Sequence, residues 1–226
     1  MATYDLEEQE QIAEIKAWWK QYGNLLAGIV TAVSIAVVAW QGWNWYQRNQ
    51  TAQASMVYGV LQNAVLENDA QRIKTASGEL IEKFGSTAYA PLAALTAARV
   101  MSDAGDVKTA KLQLAWVVEH GKDQLRDLAR LRLATLLLDE KAYDEALKQL
   151  DGTPSAGFAG RFSDGRGDIL AAQGKTAEAR AAYQAALASL DKAGPSAGGN
   201  APPNRQVNAA YRESLQLKLD ALGESG

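Results

Sequence analysis

The chain has 226 residues, 47% of them apolar and 22% charged, which is enough to close a core and excludes wholesale disorder. It has no cysteine and a single histidine, so disulfides, thiol chemistry and the multi-histidine shells of zinc enzymes are excluded. The net charge of −3 sits at the start of the chain, where Asp5, Glu7, Glu8, Glu10 and Glu14 face only Lys16 and Lys20; beyond them acid and base balance, which argues against nucleic acid as a partner.

Residues 1–23 read as a cytoplasmic amphipathic tail. Leu6, Ile12, Ile15, Trp19 and Tyr22 recur at helical steps along one side of it. From Gln21 to Gln47 there is no ionisable side chain, and Leu25–Trp40 is broken only by Thr31 and Ser34, whose hydroxyls can bond back to their own helix. As a helix this uncharged stretch is about 40 Å long, enough for the hydrocarbon layer and its interfaces. Trp18, Trp19 and Tyr22 precede the run and Trp40, Trp43, Trp45 and Tyr46 follow it, as aromatic girdles do at both membrane boundaries. Residues 24–46 are therefore expected to form a transmembrane helix. A cleaved signal peptide fits less well, because the preceding tail is acidic and Ala52-Gln53-Ala54 lies well past the apolar run. Lys16 and Lys20 before the helix and Arg48 after it favour a cytoplasmic N-terminus, making this a single-pass type II protein; the reverse topology is the rival.

Residues 47–54 are expected to link this anchor to a helical domain over 55–190. There the chain becomes rich in alanine and leucine with glycine at short intervals. Gly167, Leu170, Gly174, Ala179, Tyr183 and Ala186 follow the small–large–turn–small–large–small order that two tightly packed antiparallel helices need. The same order returns through Ala134, Leu137, Lys141, Ala146 and Leu150, and through Ala98, Met101, Gly105, Ala110, Leu114 and Val117. A fainter copy runs through Ala64, Ala76 and Leu80, which makes Ala76, Ala110, Ala146 and Ala179 equivalent, at separations of 34, 36 and 33. That period resembles the tetratricopeptide repeat, whose hairpins stack into a superhelix with a peptide-binding concave side. Residues 191–204 read as a flexible loop and 205–226 as a capping helix with Val207, Tyr211, Leu215, Leu219 and Leu222 on one face. The expected fold class is all-α: an N-terminal transmembrane helix followed by a tetratricopeptide-repeat-like α-solenoid.

The candidate sites are structural. Ala110, Ala146, Gly167, Gly174, Ala179 and Tyr183 are expected to pack the repeats. Gly28, Ala32 and Ala36, every fourth residue along the membrane helix, would let another helix approach. His120 reads as a helix-terminal residue next to a C′ glycine, Gly121, and Trp116 as packing. The run Gly165-Arg166-Gly167-Asp168 is not a phosphate loop, since no strand precedes it and no Lys-Ser/Thr follows. Arg161, Arg166, Lys175 and Arg180 read as a solvated or groove-lining set. No catalytic, cofactor-binding or metal site emerges, and an enzyme is a poor reading.

The Ile15-Lys16-Ala17-Trp18-Trp19-Lys20-Gln21-Tyr22-Gly23-Asn24 block, joined to an acidic tail, a membrane helix, degenerate repeats and a closing helix, resembles the YfgM family, the ancillary subunit of the bacterial SecYEG translocon. The resemblance covers essentially the whole chain. It implies a bacterial inner-membrane protein with its repeat domain in the periplasm. The partners it implies are the translocon and the membrane-anchored periplasmic chaperone PpiD, with unfolded secretory chains passed between them; it carries over no catalytic residue and leaves room for a homodimer. A tetratricopeptide-repeat scaffold for another cell-envelope assembly complex is the alternative.

Overall fold

The computed structural model describes residues 2–193 and 203–223, which form nine α-helices, one short 3-10 turn and no strand. The helices are α1 (Ala2–Leu66), α2 (Ala70–Phe84), α3 (Tyr89–Asp103), α4 (Val107–His120), α5 (Asp123–Asp139), α6 (Tyr143–Gln149), α7 (Ala159–Ala172), α8 (Thr176–Ala193) and α9 (Pro203–Ala221). The fold is therefore all-α. Two compact units divide it, Met1–Ala52 and Gln53–Gly226.

Within the first unit α1 has no proline to interrupt it, and its apolar run faces outward on every side: Ile29, Val30, Val33, Ile35 and Val38 are each more than half exposed. A core helix would bury these side chains, whereas this one is long and apolar enough to cross a membrane and packs against almost nothing. Thr31 and Ser34 donate to the carbonyls of Ala27 and Val30, each at 2.8 Å, so neither hydroxyl presents an unmet polar group to lipid. Trp18 lies 5.7 Å from Tyr22, and Trp43 lies 6.2 Å from Tyr46, ring centre to ring centre. The side chains of Leu6, Ile12 and Ile15 lie outside the described residues, and Trp19 and Tyr22 are exposed. Residues 47–54, expected as a linker, are helical; no glycine or proline falls between them.

The second unit is a row of helical hairpins: the end of α1 with α2, packed through Leu61, Leu80, Ala64 and Ile73, then α3 with α4, α5 with α6, and α7 with α8. One turn closes all four. Its central residue is left-handed: Asn68 (φ 54°), Gly105 (φ 81°), Lys141 (φ 61°) and Gly174 (φ 76°). In each turn the following N–H reaches back to a carbonyl in the last turn of the first helix: Asp69 to Ala64, Asp106 to Met101, Ala142 to Leu137 and Lys175 to Leu170, at 2.8 to 2.9 Å. This is the Schellman closure, in which glycine meets the left-handed conformation without strain, asparagine tolerates it, and Lys141 carries the strain of its Cβ.

The turns set the register of the repeats and correct one expectation. Five residues past each left-handed residue stand Ile73, Ala110, Ala146 and Ala179, so Ile73, not Ala76, is equivalent to the three alanines. Asparagine in the glycine slot and isoleucine in the alanine slot concealed the true phase of the first repeat. Ile73 and Ala76 sit three residues apart on one helical face and are both buried, so apolar pattern alone could not separate them.

The core follows the hairpins. The largest cluster joins α3 to α7 through Leu95, Leu114, Leu133, Leu137, Leu150, Phe162 and Ile169. After the short α6 the chain is pinned by charged groups rather than by a long helix. Buried Asp127 accepts the Ser155 N–H at 2.7 Å, Arg130 donates to the carbonyls of Gln149 and Asp151, and Arg166 donates to the carbonyl of Leu150 at 2.7 Å. The last helix, α9, starts at Pro203 and lays Leu215 and Leu219 on α8 beside Ala179 and Ala186, with Tyr211 and Leu222 at the margin. Of the expected loop 191–204, residues 191–193 belong to α8 and 203–204 to α9; the rest, like the Val207 side chain, lies outside the described residues.

Lys141 is the one turn residue that has a Cβ and lacks a side chain suited to local hydrogen bonding. Replacing it with glycine should raise unfolding stability by about 0.5–1 kcal/mol, the strain relieved less the added entropy of the unfolded chain. Asn68→Gly should gain less. Thermal unfolding of the detergent-solubilised chain, followed at 222 nm, measures both.

Candidate functional site

Gly28, Ala32 and Ala36 lie on α1 in the exposed part of the apolar run, and a Cβ on Gly28 would meet nothing within 4 Å. Their four-residue spacing keeps them to one side of the helix, open to close approach by another helix.

The repeat-packing residues lie inside the hairpins. Ala110, Ala146 and Ala179 are wholly inaccessible, and each donates its N–H to the residue four before it. Gly167 on α7 faces Tyr183 on α8 so closely that a Cβ there would come within 2.4 Å of the ring. The equivalent pairs, counted from the turn, are Leu61 with Ser77, Ala98 with Leu114, and Ala134 with Leu150, all buried. Their sizes are inversely related: as the residue on the first helix shrinks from leucine to alanine to glycine, its opposite grows from serine to leucine to tyrosine.

Several sequence candidates have structural employment. His120 stacks on Trp116 at 4.6 Å, and its Nδ1 lies 3.0 Å from the Trp116 carbonyl oxygen. Trp116 in turn packs against the main core cluster and beside Gly85. Gly121 is not a left-handed C′ residue: its backbone is extended (φ −69°, ψ 160°), and what requires glycine is the Val117 carbonyl, 2.5 Å from where a Cβ would lie. Gly165-Arg166-Gly167-Asp168 lies within α7. Arg166 caps α6 at Leu150, and Arg180 donates to the Gly223 carbonyl beyond α9, so these two of the four cations hold the fold together.

The densest polar cluster fastens α9. Lys218 donates to Asp164 at 2.7 Å and to Asp168 at 2.9 Å, while Tyr183 donates to Asp168 at 2.8 Å and Tyr211 to Asp164 at 3.1 Å. Burial, then the adjoining carboxylates, push both tyrosines well above their ordinary range. Burial alone would lower Lys218, but the two carboxylates outweigh it and raise it. All three groups hold their protons more tightly folded than unfolded. Their contribution is complete below the ordinary tyrosine range and is lost as pH rises above about 10. Sequence reading missed this cluster because its members are brought together from three helices.

Between successive hairpins the described residues leave cavities lined largely by the first helices. One of about 380 Å³ lies among Val65, Ile73, Thr96, Arg99 and Val100. A second of about 210 Å³ lies among Ala98, Arg99, Leu114, Arg132, Thr135 and Leu136, and a third of about 70 Å³ among Leu131, Leu150, Gly165 and Asp168. Arg99, Thr135 and Asp168 share one offset, six residues before the turn, while Thr96, Arg132 and Gly165 share another, nine before it. Those offsets were the signal available in the sequence for these cavities. Among the described residues no group of acids and histidine is placed to hold a metal ion.

Gly167→Ala should cost about 1–3 kcal/mol by overpacking against the Tyr183 ring. Adding Tyr183→Leu recreates the alanine–leucine pair of the neighbouring hairpins, so the double variant should be more stable than the sum of the single changes predicts. Lys218→Met leaves Asp164 and Asp168 without their cation and should cost about 1–3 kcal/mol. It should also remove amide protection over 208–221 by hydrogen exchange before the other repeats respond.

A family model described as a tetratricopeptide repeat-like domain matches residues 16–224. Three proteins called ancillary SecYEG translocon subunit are similar along most of their length. The one from Neisseria gonorrhoeae is 32% identical over 222 residues, covering 96% of this chain and 98% of its own. That from Escherichia coli is 29% identical over 220 residues (95% and 96%), and that from Haemophilus influenzae 29% over 186 residues (81% and 90%). A solved structure, MamA 41-end from Desulfovibrio magneticus RS-1, superposes with a TM-score of 0.49 at 16% identity, covering 76% of this chain and 97% of that one. By the extent of these matches, the chain belongs to the tetratricopeptide-repeat-like family of ancillary SecYEG translocon subunits.

Proposed function

We propose that this protein is a non-catalytic, single-pass adaptor of the bacterial inner membrane that associates with the SecYEG translocon. Its N-terminus lies in the cytoplasm and its repeat domain in the periplasm. There it helps pass emerging secretory chains to periplasmic chaperones, among them a membrane-anchored chaperone of the PpiD type. The observation that carries this reading is similarity along nearly the whole chain, anchor included, to proteins named as translocon subunits. The lysine bias at Lys16 and Lys20 against Arg48 supports the orientation.

The physical logic is one of local concentration. A span held beside the translocon keeps the repeat face near every chain that emerges, so individually weak contacts can act repeatedly without trapping their client. The Gly28, Ala32 and Ala36 face is the surface through which the anchor would meet a membrane partner or a second copy of itself. A non-catalytic role is supported by the Asp164–Asp168–Lys218 cluster, whose carboxylates are bonded to side chains of the fold itself.

Two measurements test this. Alkaline phosphatase fused to the C-terminus, active only outside the cytoplasm, should be active; an inactive fusion that is stably made would reverse the topology. Purification of the full chain in mild detergent should bring translocon subunits with it. Replacing Gly28, Ala32 and Ala36 together by leucine should reduce that yield severalfold. Recovery of cell-wall or outer-membrane assembly proteins in place of the translocon would establish the scaffold alternative instead.

A further inference from the structure

The positions at which each hairpin sits on the one before it are buried along the repeat row and open at its start. Twelve residues before the left-handed turn residue stand Ala93, Ala129 and Phe162, all buried. Ala93 packs into the cluster of the first hairpin, and Ala129 and Phe162 pack into the main cluster. Eight before it stand Ala97, which packs with Ala64 and Ile73, and Leu133, which joins the main cluster. Arg166 holds that place in the last hairpin and reaches back to the Leu150 carbonyl. In the first hairpin the two places belong to Met56 and Val60, 66% and 47% exposed. A solenoid that ends in water presents a polar side there. This one keeps the apolar pair of an internal hairpin and leaves it open.

The open side has the pattern of a helix that meets its own copy. Gln53, Met56, Val60 and Asn63 follow one another at steps of three, four and three, the seam of a two-stranded coiled coil. Gly59 flanks that seam, and a Cβ on it would meet nothing within 4 Å. From Asn49 to Leu66 there is no acid, lysine or arginine, although much of the stretch is exposed. A charge on a self-paired seam would face its own like, so a second copy needs a neutral stripe where a different partner could match charges. The same alternation of threes and fours runs back along α1 through Gly42, Ala39, Ile35, Ala32 and Gly28. Gly28 and Gly42 also have open space where a Cβ would lie, so no described residue of the chain requires glycine at either. Copies anchored in one membrane cross it in the same direction. Their helices therefore run parallel, and each seam residue meets its own counterpart.

We infer that the chain forms a parallel homodimer in which the outer side of the first hairpin, with Met56 and Val60 at its centre, is covered by the same side of a second copy. The heptad seam of α1 lies between the two. The second copy does at the start of the repeat row what α9 does at its end. This pairing needs the membrane anchor of the proposed reading but not its translocon, its chaperone or its orientation.

The chain has no cysteine, so single cysteines report their neighbours directly. Met56→Cys, Val60→Cys and, on another side of α1, the exposed Gln62→Cys are oxidised with copper phenanthroline in native membranes. A disulfide needs its Cβ atoms within about 4.5 Å, so the first two should give a product of twice the chain mass about tenfold faster than the third. In mild detergent the full chain should sediment as a dimer and its Met56→Glu/Val60→Glu variant as a monomer. Both residues are exposed, so ellipticity at 222 nm should not change with the substitutions. Equal rates at the three cysteines, no product, or products of Met56→Cys and Val60→Cys with a protein of another mass overturn the inference. A monomeric parent chain, or a dimer that survives the double variant, overturns it as well. Translocon recovery is scored separately: its absence beside a crosslinked dimer counts against the adaptor reading and leaves the dimer standing.

Discussion

Each hairpin of the repeat domain is built around one space that two helices must share. The Gly167–Tyr183 contact shows how little slack there is, since a single added carbon would lie inside the van der Waals envelope of the ring. Leu61 with Ser77, Ala98 with Leu114, Ala134 with Leu150 and Gly167 with Tyr183 solve the same volume constraint in three ways. The sum is held roughly constant while its division between the helices drifts. A repeat of this kind therefore degenerates residue by residue without losing its interhelical distance. That is why the domain keeps its geometry although no single position is identical in all four copies.

The left-handed turn is the second half of the same constraint. It ends the first helix at a fixed point and starts the second after a fixed advance, which brings the shared space into register. Glycine meets the requirement twice, asparagine once and lysine once at a conformational cost. With register and spacing settled by the turn and by the paired volumes, residues six and nine before the turn differ from one hairpin to the next. Thr96, Arg99, Arg132, Thr135, Gly165 and Asp168 occupy them. Some of them serve the fold locally: Asp168 anchors α9 through Lys218 and Tyr183, and Arg132 bonds the Leu95 carbonyl.

The same constraints also explain what could be read from the amino-acid sequence. The membrane helix was legible because an uncharged run bounded by aromatic girdles is a local signal that needs no tertiary context. The last three hairpins were legible because small residues fall at repeated offsets around Gly105, Lys141 and Gly174. The first was read out of phase because Asn68 and Ile73 satisfy the backbone and the volume rules without resembling the consensus. Gly121 was assigned the right position for the wrong reason: pattern reading sees a glycine after a helix, and only coordinates show that crowding by Val117, not a positive φ, demands it. The clamp of Asp164, Asp168, Tyr183, Tyr211 and Lys218 was invisible, since its members are up to 54 residues apart and each alone reads as an ordinary solvated side chain.

That clamp bears on how the row of hairpins ends. An internal hairpin has a neighbour to cover its outer apolar side; among the described residues the α7–α8 hairpin is covered there by a single helix, α9. Leu215 and Leu219 cover Ala179 and Ala186 as a further hairpin would, and Arg212, Glu213, Gln216 and Asp220 turn a polar side to water. A lone helix buries less apolar area than a hairpin, and the deficit is met by ionic bonds from Lys218 to two carboxylates rooted in α7. Because those carboxylates also accept from Tyr183 and Tyr211, the glycine–tyrosine pair that sets the spacing of the last hairpin is tied to the bonds that hold its cap. Packing and closure at this end of the domain therefore rise and fall together.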